Sequence, residues 1–324
     1  MQIPRIDIPA INHSEPILKY RNPFEREFPK TVVVLGNGFD MDLGLKTSYN
    51  SFAACKKFWP FEHPVYQYDE CMGNFLNKKR DIEKWLDLEE ALAEYANIDK
   101  KTNNVDEDKV CFKVLSQKLS EYLRNEQENF ELQLGAVPAA YSFLEIISQK
   151  KDYYIYSFNY TNLYLLANKI GVKLDANRIQ HIHGSLKDND IILGTGDVAE
   201  LPDDYAWLYK SFNFNYQSNN LVEDITDADE VFIFGHSFGK NDFDYFIDFF
   251  EKSIHQRETR MNMTAKGYDK IKLRIITKDD KSELAIKKQL RILTDKHVQG
   301  LYAHCDCKIF HTQGDLNWVT IDEL

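Results

Sequence analysis

Short apolar runs, separated by stretches of helical spacing, predict an α/β fold. The expected form is Rossmann-like, a mostly parallel sheet with helices on both faces and a large helical insertion. Three observations carry this. Val32-Val33-Val34-Leu35 is a β-branched run that stops at Gly36, the mark of a strand buried on both faces. Similar runs recur at 153–158, 179–183, 191–194, 230–235, 271–277 and 307–311, with helical segments at 161–170, 242–255 and 282–293 between several of them. Polar residues and glycines collect where those runs end, which is where open α/β sheets bind ligands.

The elements follow in chain order. Residues 1–30 carry Pro4, Pro9, Pro16, Pro23 and Pro29, a spacing that forbids a helix and predicts an extended N-terminal arm. Residues 31–324 then read as one α/β domain. After the strand at 31–35, the turn Gly36-Asn37-Gly38-Phe39-Asp40 can bend tightly because glycine has no Cβ. A helix starting there would aim free N–H groups at a phosphate. An ordinary strand-to-helix turn fits the same residues.

The stretch 50–150 reads as the helical insertion. Residues 107–134 place Val110, Val114, Leu115, Leu119, Tyr122 and Leu123 on one face. The polar break 98–107 separates this run from the helix carrying Trp85-Leu86-Asp87-Leu88-Glu89. Glu89 reads most simply as part of a solvated helix face, and Asp242 as a helix N-cap.

Composition narrows the function classes. The 324 residues carry a net charge of -11, and no Lys/Arg run stands out, so direct nucleic-acid binding is not expected. The N-terminus lacks the apolar core of a signal peptide and no segment is apolar enough to span a bilayer, so a cytoplasmic protein without membrane contact is expected. The five cysteines are odd in number and scattered, which argues against a disulfide framework. Cys305 and Cys307 fall on one face of a strand and read as ordinary strand cysteines, so no metal is expected.

Four run ends hold the candidate chemistry: Gly36–Asp40, Phe158-Asn159-Tyr160-Thr161-Asn162, His181-Ile182-His183-Gly184-Ser185 and Gly235-His236-Ser237-Phe238-Gly239. Met41 occupies the third glycine position of the dinucleotide fingerprint, so a hydride-transfer Rossmann domain is not expected. The Gly-x-Ser-x-Gly pattern at Ser237 matches a nucleophile elbow, with Asp279 or Asp280 as acid and His304 or His311 as base. That reading leaves Asn159 and His183 without roles. Asn159 fits a turn as well as a site, and Asn162 fits a helix cap. His183 has the ordinary near-neutral imidazole that suits a general base.

The blocks LGNGFDMDLGLKTSY, WLDLE, FNYTN, HIHGSL and FGHSFGKNDFDYF, in that order, resemble the AbiH-like abortive-infection family of bacterial anti-phage proteins. They also resemble, more distantly, the sirtuin-like NAD-binding superfamily. That resemblance implies Asn159 and His183 as catalytic residues. It implies Gly36, Asn37, Gly38 and Asp40 at the pyrophosphate and ribose, and Gly235 and Ser237 at the adenosine half. The four-cysteine zinc module of deacylases is missing, and Tyr160-Thr161 departs from their pattern. The resemblance therefore implies cleavage of NAD itself, with NAD as substrate or ligand. It also leaves room for a homo-oligomer and a phage-derived trigger. Two other functions fit the sequence: a non-enzymatic NAD or nucleotide sensor, and a serine hydrolase using Ser237.

Overall fold

The structure, a computed structural model, describes residues 29–62, 71–83, 87–98, 105–132, 137–187, 190–255 and 270–313. Apart from Pro29 and Lys30, the expected N-terminal arm lies outside the described residues, as do residues 84–86.

Six parallel strands form one sheet in the order β3-β2-β1-β4-β5-β6. They are β1 (Thr31–Leu35), β2 (Tyr153–Ser157), β3 (Ile179–His181), β4 (Glu230–Phe234), β5 (Ile271–Thr277) and β6 (Cys305–His311). The expected α/β fold is therefore present. Strand β1 sits centrally, with Val33 opposite Ile155 on one side and Phe232 on the other. All five of its residues are buried. A β-branched strand of this kind loses little rotamer freedom, and each buried Val or Leu contributes roughly 1.5–3 kcal/mol.

Strand alternation splits the core into two layers. Val33, Leu35, Phe232 and Phe234 face α1 (Asn37–Leu43), α6 (Ala139–Gln149) and α7 (Leu163–Lys169). Val32, Val34, Val231 and Ile233 face α8 (Leu221–Asp227), α9 (Ile247–His255), α10 (Asp280–Leu293) and α11 (Val298–His304). The connections from β1 run first toward β3 and then cross back to β4. The direction thus reverses between β1 and β4, which is where such sheets leave a crevice.

A further core forms away from the sheet. It joins α2 (Tyr49–Ala54), α3 (Met72–Glu83), α4 (Leu88–Asn97) and α5 (Val105–Glu128) to Leu186, Leu193, Tyr205 and Leu208. Tyr160, just past β2, enters it at the C-terminal edge of the sheet. Buried Asp108 ties this unit together, accepting from Tyr95 Oη at 2.7 Å and Tyr205 Oη at 2.6 Å. Helix α6, inside the predicted insertion, instead packs on the sheet.

Three expectations change. Residues 191–194 are not a strand; Gly194 turns at φ 154° and Thr195 pairs with Tyr209 in an isolated bridge. Strand β3 stops at His181, leaving His183 in the turn beyond it. Val110 is 63% exposed, because the buried face of α5 runs through Leu115, Leu119, Tyr122 and Leu123. Cys305 and Cys307 pack at the second sheet face.

Candidate functional site

The turn after β1 owes its glycines to backbone packing. A Cβ on Gly36 would lie 2.5 Å from His236 Cα, and one on Gly38 would lie 2.7 Å from Gly235 Cα. Gly235 itself has φ +66°, and its Cβ would lie 2.3 Å from Phe39 N. These three residues bring the β1 and β4 turns into direct contact across the reversal point. The contact consumes donors. Gly36 N donates to Phe234 O, Gly38 N to Gly235 O and Phe39 N to Gly36 O, each at 2.9 Å. Asn37 accepts from Thr47 Oγ1 through its side chain. Three backbone N–H donors of the expected phosphate cradle are thus bonded inside the protein.

Asp40 and Asn159 form a second closed network. Asp40 is 1% exposed and accepts from Asn159 Nδ2 at 2.8 Å and Thr161 Oγ1 at 2.7 Å. Asn159 Nδ2 also donates to Gly36 O at 3.1 Å, so both amide hydrogens are used. Burial pushes the Asp40 carboxyl up to about 7, against the pull of those two hydrogen bonds. Asp40, expected at the ribose, and Asn159, expected in catalysis, brace the β1 and β2 turns in this structure. Asn162 caps α7 as expected, its Oδ1 accepting from Leu165 N at 3.1 Å.

Ser237 is exposed, and among the described residues no histidine hydrogen-bonds it. The positive φ angles of this turn fall on Gly235 and Phe238 rather than on the serine. Asp279 caps α10 by accepting from Ser282 N, while His311 lies 2.6 Å from Glu283. The side chain of His304 lies outside the described ones. The serine triad is not assembled from the described side chains.

The polar cluster lies beside these turns, at the same edge. His183 Nε2, Lys210 Nζ and Asp242 Oδ1 lie 3.5 Å from one another. Lys210 Nζ also donates to Glu89 Oε2 at 2.9 Å, and Tyr49 Oη donates to Glu89 Oε1 at 3.2 Å. His236 Nδ1 accepts from Phe238 N at 3.1 Å, which places its proton on Nε2, 3.3 Å from Asp242 Oδ2. The Phe158 ring lies between the two imidazoles, 5.3 Å from His183 and 4.4 Å from His236. The side chains are nearly enclosed: 4% exposed for Lys210, 5% for His183, 12% for Glu89 and 18% for Asp242. Asp242 Oδ1 is buried and makes no hydrogen bond.

Charge in this cluster follows from burial and pairing. Burial, then the neighbouring Lys210 ammonium, lowers His183 to about 3 and keeps it neutral. That replaces the near-neutral value expected of it. Lys210 is raised, because Glu89 and Asp242 together outweigh its burial. Asp242 is held well below the usual carboxylate range despite burial, chiefly by Lys210. Burial pushes Glu89 up against the opposing pull of Lys210.

The sequence pattern places Glu89 on a solvated face and makes Asp242 a helix cap. Both are corrected. Asp87 caps α4 and lets Glu89 turn inward, while Gly239 opens the 3-10 turn Lys240–Tyr245 that contains Asp242. Lys210 and His236 are not singled out by the sequence pattern. The available signals were a lone lysine in the aromatic run Trp207–Tyr216, and a histidine inside a motif read only for its glycine and serine.

Elsewhere, a groove of about 1050 Å³ opens at the opposite, N-terminal edge of the sheet. Its Glu230 is paired with Lys150 and Lys272.

The profile of a known family, bacteriophage abortive infection AbiH, matches residues 32–264. The match covers more than half of the chain and spans all four loops above. The chain belongs to the AbiH family. No curated relative matches it. AbiH membership gives the cluster its context, bacteriophage abortive infection. Among the described residues, no helix is long and apolar enough to cross a membrane.

Proposed function

We propose that this AbiH protein is an NAD glycohydrolase that acts in abortive infection by cleaving the nicotinamide–ribose bond. The observation that carries the reading is the triangle of His183 Nε2, Lys210 Nζ and Asp242 Oδ1 at the C-terminal edge of the sheet. Three polar atoms so spaced can share one oxygen, which at about 2.8 Å from each sits about 2 Å above their plane. A water there donates to Asp242 Oδ1 and His183 Nε2 and accepts from Lys210. Its remaining lone pair points outward as the nucleophile.

The chemistry suits these groups. Cleavage breaks the C1′–N bond, and the electron pair neutralises the pyridinium as nicotinamide departs. Positive charge then builds on the ribose, where ionised Asp242 stabilises it. The water oxygen bonds to C1′ and becomes strongly acidic. His183, neutral and with its proton on Nδ1, can therefore take the released proton although its basicity is low. Nicotinamide, ADP-ribose and one proton are the products. A phage-derived trigger fits a site enclosed at rest.

The test is direct. The purified protein is incubated with NAD, with and without phage lysate, and free nicotinamide is followed by chromatography. Release by wild type and its loss in folded His183→Ala support the reading. Equal release by both proteins refutes it.

A further inference from the structure

Glu89 connects the helical insertion to this site. It enters from α4, whose other anchors lie in the separate insertion core, including buried Leu88, Leu92 and Tyr95. Its partner Lys210 lies beyond Leu208, at the margin of that core. Lys210 has two carboxylates within 4 Å but hydrogen-bonds only one: Glu89 at 2.9 Å, against 3.5 Å to Asp242 Oδ1. Glu89 is itself fixed by Tyr49 Oη from α2.

We infer that Glu89 is a positioning residue: the insertion uses it to hold Lys210 off Asp242, keeping the His183–Lys210–Asp242 triangle open for an oxygen. A buried ammonium must find an anionic partner. Without the Glu89 charge, the only other carboxylate recorded within 4 Å of Lys210 among the described residues is that of Asp242, whose Oδ1 makes no hydrogen bond. Lys210 would close on it and take the open Oδ1 acceptor that the shared oxygen needs. The inference makes the insertion part of the working site, and its kinetic arm rests on the NAD-cleavage reading.

The experiment combines structure determination with a double-mutant cycle. In Glu89→Gln, the Lys210–Asp242 distance should shorten from 3.5 Å to hydrogen-bond length. Loss of geometry on this scale costs on the order of 100-fold in kcat, with KM for NAD little changed. Lys210→Met should abolish the effect, so the double variant is no slower than Lys210→Met alone. Glu89→Asp keeps the charge and should recover part of the lost kcat. It also supplies the structural comparison if Glu89→Gln does not fold, with Lys210 drawn part-way from its place. Lys210 unmoved in both variant structures, or losses that multiply in the double variant, would overturn the inference. If the wild type releases no nicotinamide, the cleavage reading fails, while the Lys210 position in the variant structures still decides this one.

Discussion

Replacing Asp40 by Asn should remove a large pH dependence of stability while leaving the fold in place. The introduced amide can accept from Asn159 Nδ2 through its oxygen and donate to Thr161 Oγ1, whose hydroxyl can turn to accept. Asp40 is fully buried, with its carboxyl raised from 3.8 to about 7. At about 1.4 kcal/mol per pKa unit, that shift corresponds to roughly 4 kcal/mol. The folded state keeps the proton to about pH 7, whereas the unfolded chain gives it up near 4. The Asp40 contribution is therefore fully present at acid pH and is lost as pH rises through the folded value. Between pH 5 and pH 7, wild type should lose roughly 2–3 kcal/mol relative to Asp40→Asn. Urea unfolding of both proteins at pH 5, 6 and 7, followed by tryptophan fluorescence, measures this difference. Parallel stability profiles would refute the assignment of Asp40 as a buried brace that carries its proton into the fold.

Other substitutions probe the neighbouring packing and charge. Lys210→Met strands Glu89 and Asp242 beside each other, so thermal denaturation should show a loss of about 3–5 kcal/mol. That loss should be smaller at pH 6 than at pH 8, since Glu89 protonates more readily at the lower value. Gly38→Ala drives a methyl to 2.7 Å from the Gly235 backbone and should cost about 1–3 kcal/mol by the same measurement. A fluorophosphonate probe should leave Ser237 unlabelled, because no histidine among the described residues activates it. Labelling lost in Ser237→Ala would restore the serine-hydrolase reading.

The sheet was legible because its strands are buried on both faces. Val32–Leu35 and Val231–Phe234 are continuous apolar runs, and continuous runs are what a central parallel strand requires. Residues 191–194 show the limit of that signal: the same composition lines the insertion core as irregular chain, held by Ile192 N bonding to His183 O. The edge carrying the site was also legible, since all four polar turns do converge there. Individual roles were not. Asn159 and Asp40 are polar residues in the expected place, yet they satisfy each other 119 positions apart. Glu89 and Lys210 meet across 121 positions, a pairing that helix periodicity cannot reveal. The glycines suggest ligand space in the sequence but serve backbone contact between β1 and β4.

His183 and Asp242, with Lys210, are the groups proposed to cleave NAD. Asp242→Asn is nearly isosteric and keeps an oxygen for His236 Nε2, so it isolates the charge. Nicotinamide release by wild type and Asp242→Asn should be compared with phage lysate present, alongside NAD affinity from calorimetry. Turnover should fall at least ~100-fold in Asp242→Asn with affinity retained. Turnover equal to wild type in folded Asp242→Asn, or no nicotinamide from wild type with lysate present, would contradict this reaction.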